Sequence, residues 1–153
     1  MKRRRVALLD VNLLVALFDP DHIHHDLAHD WFSAHRADGW ATCPITENGL
    51  IRVLTNPRYE SPVSTAAAVV ERLKKFRESG HHEFWSDDVS LANDSIFKPG
   101  SARGHRQITD VYLLGLAHGH GGRLATMDQS IPLGAVVGAT RDSVAVVASA
   151  GDD

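Results

Sequence analysis

A single cysteine in 153 residues, Cys43, removes two classes of protein at once. One thiol makes no intrachain disulfide and no multi-thiolate zinc site, and beside Pro44 it reads as a small buried apolar residue rather than a nucleophile. An excess of basic charge is missing too. The 16 Lys and Arg against 19 Asp and Glu leave a formal net charge of -3, so a surface for nucleic acid has to be local, with the acids concentrated elsewhere. A long apolar run is also absent. The stretch MKRRRVALLDVNLLVALF is too short to span a bilayer, is interrupted by Asp10 and Asn12, and is followed by no small-residue cleavage site. It reads as the first strand of a cytoplasmic domain without membrane contact, with Lys2 to Arg5 as a solvated flank.

Two further absences narrow the enzyme classes. The turn Asp10-Val11-Asn12 lacks the glycines that a dinucleotide-binding fold places after its first strand. Asn12 stands where an aspartyl phosphatase would want a second aspartate. Histidine is plentiful, with ten copies, yet the pairs His24-His25, His81-His82 and His118-x-His120 show neither H-x-x-x-H spacing nor cysteine partners. They are expected on the surface or in packing roles, and His105, close in sequence to Asp110, is the one worth testing.

What is present is an ordinary globular composition, 43% hydrophobic and 23% charged, without repeats, linkers or low-complexity tracts. One domain over 1–153 is the economical reading. Val6 to Asp10 is a short apolar run that suits a buried strand. Asn12 to Phe18 looks helical, and His24 to Ala37 reads as a second helix with Leu27, Trp31 and Ala34 on one face. Gly39 stops it. Trp40 to Cys43 suits a second strand, and Pro44 begins a third helix that ends near Leu54. A fourth helix starts at Ser64 or Thr65, turns Val69, Val70, Leu73 and Phe76 inward, and ends at Gly80. Phe84-Trp85 is expected as a third strand, Ile108 to His118 as a fifth helix, and Arg123 to Thr126 and Val144 to Ala148 as the last two strands. Strands alternating with helices predict an α/β domain with a mostly parallel sheet. Phe18, Trp31, Phe32 and Trp40 are expected mainly in the core, with some surface left for a partner helix.

Four acids fall where such a sheet binds ligands. Asp10 closes the first strand and Asp128 follows the fourth by two residues, while Glu47 and Asp110 lie in the first turns of helices. Ligands of an open parallel sheet bind outside the carboxyl ends of the strands, where the following helices also begin. Carboxylates gathered there repel one another, and helix N-termini offset only about 0.3–1 kcal/mol each. A divalent cation supplies the rest. Magnesium prefers oxygen ligands and keeps several waters, the pattern that activates water against a phosphodiester. Asn12 and Thr126 are placed to orient ligands or waters from behind. Each acid also has a structural reading: Asp10 or Asn12 as a helix cap, Glu47 and Asp110 as first-turn acids, Asp128 as a turn residue. Arg52 suits a substrate contact or an ion pair. The local basic stretch Lys98, Arg103, His105 and Arg106 suits either RNA phosphates or a solvated loop.

The segments ALLDVNLLVALFD, CPITENGLIRVLTN, HRQITDVYLLGLA and RLATMDQSI together resemble the PIN-domain family, and more narrowly the VapC-type toxins of bacterial toxin–antitoxin pairs. The resemblance runs in order through nearly the whole chain. It implies a Rossmann-like three-layer α/β/α sandwich and endoribonuclease activity assisted by Mg2+ or Mn2+. Asp10 and Asp110 would be the principal metal ligands, with Glu47 and Asp128 completing the pocket directly or through water. The implied reaction is in-line attack by water that leaves a 5′-phosphate and a 3′-hydroxyl. The implied partners are a structured RNA such as tRNA or rRNA, a small antitoxin whose C-terminal segment lies across the cleft, and a second copy of the chain. A related nuclease acting on DNA would carry the same acids, whereas a non-catalytic binding module would tend to lose some of them.

Overall fold

The structure is a computed structural model, and it describes residues 5–60 and 65–148. Five strands form one sheet: β1 (Ala7–Leu9), β2 (Trp40–Thr42), β3 (His82–Phe84), β4 (Arg123–Thr126) and β5 (Val144–Val146). Their order is β3-β2-β1-β4-β5, and every pairing is parallel. Parallel neighbours require long crossovers, and five helices supply most of them: α1 (Val11–Phe18), α2 (His25–His35), α3 (Pro44–Thr55), α4 (Ala66–Arg77) and α5 (Ile108–Gly119).

Alternation along the strands divides the core into two layers. Ala7, Leu9, Trp40 and Ala125 point to the face covered by α1 to α4, where they meet Leu13, Leu50, Leu54, Val69 and Leu73. Leu8, Ala41 and Leu124 point to the opposite face, where α5 packs Val111, Leu113, Leu114 and Leu116 against them. The result is the three-layer α/β/α arrangement. Since β1 and β4 are neighbours while the chain runs outward from them in both directions, the order reverses between these two strands. A crevice opens at that point beyond their carboxyl ends.

Several boundaries differ from the sequence expectation, each for a local reason. The third strand is His82–Phe84 rather than Phe84-Trp85. It is an edge strand with exposed positions, so it carries no apolar run, and Trp85 lies just beyond it as a buried side chain. In α2 the fully buried positions are Ala28 and Phe32; Leu27 and Trp31 are half-buried and Ala34 is exposed, one position off the expected face. That helix ends at His35 and tightens into a 3₁₀ turn at Arg36–Asp38 before Gly39, whose φ of 98° suits glycine. In α4 Thr65 is the cap, accepting from Ala68 N–H, and Val70 and Phe76 are only half-buried. Ser64, like Lys2 to Arg4, lies outside the described residues. Arg5 is no free flank, because its guanidinium donates to the carbonyls of Asp142 and Gly122. The fifth strand stops at Val146, although Val147 N–H still donates to Thr126 O at 2.8 Å.

Residues 86–107 hold no helix or strand beyond single 3₁₀ turns and one bridge, Phe97 to Val136. Phe97 anchors this stretch. Its ring is 1% exposed and sits over Gly115, where an added Cβ would come within 2.3 Å of two ring carbons. A buried ring flanked by α5 cannot swing away. Gly115→Ala is therefore expected to lower stability by about 1–3 kcal/mol, as overpacking does, read as a shift in the denaturant midpoint at constant slope.

Candidate metal centre

The end of β1 sets the centre of the site. Asp10 follows Leu9 with extended backbone (φ -73°, ψ 171°), and its side chain accepts the N–H of Leu13 at 2.8 Å, capping α1. The capping expectation is correct, and it does not exclude a second role. Capping uses one oxygen and fixes where the other points. The residue is only 3% exposed, and burial, reinforced by the charges of Asp110 and Asp128, pushes its carboxyl up to about 6 from 3.8. A hydrogen bond from Thr126 and the Leu13 N–H work in the opposite sense.

Asp110 sits in the first turn of α5. Burial, then the charge of Asp128, holds its carboxyl above the usual range. Asp128 follows β4 in a tight turn: its N–H donates to Thr126 Oγ1 at 3.0 Å, and its own Oδ1 accepts from Ser130 N–H and hydroxyl at 2.8 and 2.6 Å. Thr126, fully buried, thus touches both acids and sets their spacing. Asn12 is exposed on the second residue of α1.

Glu47 is differently engaged. Pro44 and a Thr46 side chain bonded to both Cys43 N–H and Cys43 O start α3, which puts Glu47 near Thr42 at the end of β2. Thr42 Oγ1 donates to Glu47 Oε2 at 2.6 Å, and Arg77 Nη1 stands 3.4 Å from both carboxylate oxygens. His82 Nε2 lies 2.7 Å from the same hydroxyl. Burial and Arg77 press the ring down to about 4, so His82 is neutral near pH 7. Because the threonine proton goes to Glu47, Nε2 carries the histidine proton and donates. The fold therefore brings three of the four acids into mutual influence and engages the fourth, Glu47, with Thr42 and Arg77.

Among the described residues, Asp10, Asp110 and Asp128 have no ion-pair partner. Among the described residues, the salt bridges are Lys74 to Glu71 and Arg77 to Glu47. A partly buried group of carboxylates without Lys or Arg, offering hard oxygen donors, fits a divalent cation. It is not a finished ligand shell, since among the described residues no three acidic, histidine or cysteine side chains stand ready to hold an ion by themselves. Magnesium takes one or two carboxylates and completes its shell with water, so a full set of protein ligands is not required for it to bind.

The basic stretch divides. Arg103 lines a cleft next to Ser130, while Lys98, His105 and Arg106 are exposed and line none of the clefts described below. Arg52 is exposed and has no ion pair among the described residues. Of the histidines, His25 and His29 bond Ala16 O and Leu17 O at the end of α1, and His120 stacks on Trp85, all packing roles. One acid at this edge escaped the sequence reading. Asp87, just past β3, hydrogen-bonds toward Tyr112 and Cys43; burial first, and then this acid, push the tyrosine up to about 12 and the thiol up to about 11. Its signal was its place two residues after Trp85, hidden by the misplaced third strand.

Residues 7–133 match the PIN domain family. The chain is 45% identical to Ribonuclease VapC44 of Mycobacterium tuberculosis over 141 residues, covering 92% of this chain and 99% of that protein. It is 41% identical to Ribonuclease VapC39 over 125 residues (82% and 90%) and 45% identical to Ribonuclease VapC38 over 126 residues (82% and 87%), both of M. tuberculosis.

The raised carboxyl of Asp10 makes a stability prediction whose sign is fixed. The folded state holds this proton more tightly than the unfolded chain does. Below about pH 4 the carboxyl is protonated in both states and costs nothing; stability is lost as pH rises to about 6, and the penalty is constant above that. Asn caps a helix as well as Asp. In chelator near neutral pH, Asp10→Asn is expected to be more stable than the parent, by at most about 3 kcal/mol at 1.36 kcal/mol per unit, the gap closing in acid. Denaturant melts across pH measure it; a less stable variant at neutral pH contradicts the burial argument.

Proposed function

Since the chain belongs to the PIN-domain family and, within it, to the VapC-type ribonucleases, we propose that it is a metal-dependent endoribonuclease, the toxin of a toxin–antitoxin pair. The observation that carries this reading is the unpaired group of Asp10, Asp110 and Asp128 at the reversal point of the sheet. Bound Mg2+, or Mn2+, would supply Lewis acidity and a water activated at neutral pH. Asp10 and Asp110 would hold it, with Asp128 acting directly or through a water.

The chain's own groups do the positioning. Leu13 N–H and Thr126 hold the Asp10 carboxylate in one orientation, so its remaining lone pairs would be aimed before an ion arrives. The Ser130 turn does the same for Asp128. Glu47, fixed by Thr42 and Arg77, offers an acceptor for a water at the side of the pocket. Asn12, exposed at the start of α1, is open to a water or the substrate. The proposed reaction is hydrolysis of a phosphodiester by in-line attack of water, releasing a 5′-phosphate and a 3′-hydroxyl. The proposed setting is the cytoplasm, with one domain over residues 1–153. The substrate is a structured RNA such as tRNA or rRNA, whose cleavage slows translation and growth; the partners are a second copy of the chain and a small antitoxin. Among the described residues no helix is long and apolar enough to cross a membrane.

Asp10→Asn and Asp110→Asn are each expected to lower RNA cleavage by more than about 100-fold, the upper end of what losing merely a ligand's supporting partner does, with far-UV circular dichroism unchanged. Chelator should stop the parent enzyme and excess Mn2+ should restore it. Mapping RNA 5′ ends in cells after induction, beside the Asp10→Asn control, identifies the substrate. Near-normal cleavage by either variant, or full activity in chelator, removes the proposed site.

A further inference from the structure

Two clefts are lined by chain neighbours of the acids. The larger, about 860 Å³, runs along α3 and is entered beside Val11 and Thr109, the chain neighbours of Asp10 and Asp110. Asn48, Arg52 and Asn56, four residues apart and therefore on one face, line it. Gly49 lets α3 meet α1 closely at this cleft: an added Cβ there would come within 2.5 Å of Val11, which also lines it. Asp87, the one acid lining this cleft, is directed toward Tyr112 and Cys43. The second cleft, about 370 Å³, lies past Asp128 in the chain, beyond β4, between Gln129 and Ser130 and the loop that carries Arg103.

That loop is tied in place. Gln107 Oε1 accepts Arg103 N–H at 2.6 Å, and Gln107 Nε2 donates to Ser130 O at 3.3 Å. Each cleft thus offers one exposed arginine and neighbouring amides, and among the described residues neither arginine has an ion pair. A guanidinium fork matches a phosphate, and side-chain amides match the edges of unpaired bases.

We infer that the substrate RNA lies across the acids as an extended single strand. Arg52 holds a phosphate on one side of the scissile bond and Arg103 holds one on the other, while Asn48 and Gln129 meet the flanking bases. Sequence choice is therefore two-sided, with each cleft reading its own side. The substrate class rests on the nuclease reading above; the path of the strand rests on the clefts.

The test uses the full chain with two surface double variants, Asn48→Ala with Arg52→Ala, and Arg103→Ala with Gln129→Ala. On an RNA pool randomised around the cut, the first pair is expected to change base preference on one side of the cleaved bond and the second pair on the opposite side. Each should raise KM more than it lowers kcat. In chelator, with a short labelled RNA of random sequence as probe, Arg52→Ala and Arg103→Ala should each reduce the slope of log affinity against log salt by about 0.7, and Arg→Lys should restore the slope. A parent that cuts while both pairs keep its preferences and slopes overturns the strand path and leaves the clefts to a protein partner. A parent that binds with these arginine-dependent slopes but cuts nothing sustains the path and removes the nuclease reading. A parent that neither binds nor cuts removes both.

Discussion

A carboxylate buried at the end of a central strand is the constraint around which this protein is arranged. Asp10 leaves β1 with nowhere to be solvated, and the fold offsets only part of that cost through Leu13 N–H and Thr126. The remaining penalty is worsened by Asp110 and Asp128, which the sheet order delivers to the same crevice. Stability alone would not select this arrangement, because an amide at position 10 would cap α1 equally well. Under the proposed metal-dependent function the penalty would be affinity held in reserve, since carboxylates poised against one another gain most from a doubly charged ion.

Helix α3 shows how one element serves several tasks through its different faces. Leu50 and Leu54 enter the core, Gly49 brings the helix hard against Val11, and Glu47 is clamped between Thr42 and Arg77. Asn48, Arg52 and Asn56 remain on the open wall of the large cleft. The close approach at Gly49 fixes how far this wall stands from Asp10, so packing in the interior sets the width of the entrance to the acids. On the far side, Gln107 does comparable work by fastening an otherwise irregular loop to the turn after Asp128.

Much of the architecture was legible in the chain because parallel strands buried on both faces produce short apolar runs that are hard to mistake. The runs before Asp10, around Trp40 and before Asp128 gave three strands within a residue of their true ends. The edge strand β3 was not legible in the same way. One of its faces is open, so His82, Glu83 and Phe84 carry no apolar alternation, and misplacing it hid Asp87. The inward face of α2 was off by one position because its neighbours Trp40 and Phe76, which decide where Phe32 points, come from distant parts of the chain.

The order of residues by itself determined the fold class and which four acids stand at strand ends and helix starts, since those facts depend on local periodicity and on punctuation by Pro and Gly. It could not decide how the acids are shared out. Asp10, Asp110 and Asp128 form one electrostatic group while Glu47 is drawn to Arg77, thirty positions away and on another helix. Likewise, the capture of Arg77 by Glu47 depended on which charges from other elements came within reach. Pairing of this kind is a matter of distance and burial, and both exist only once the helices have packed on the sheet.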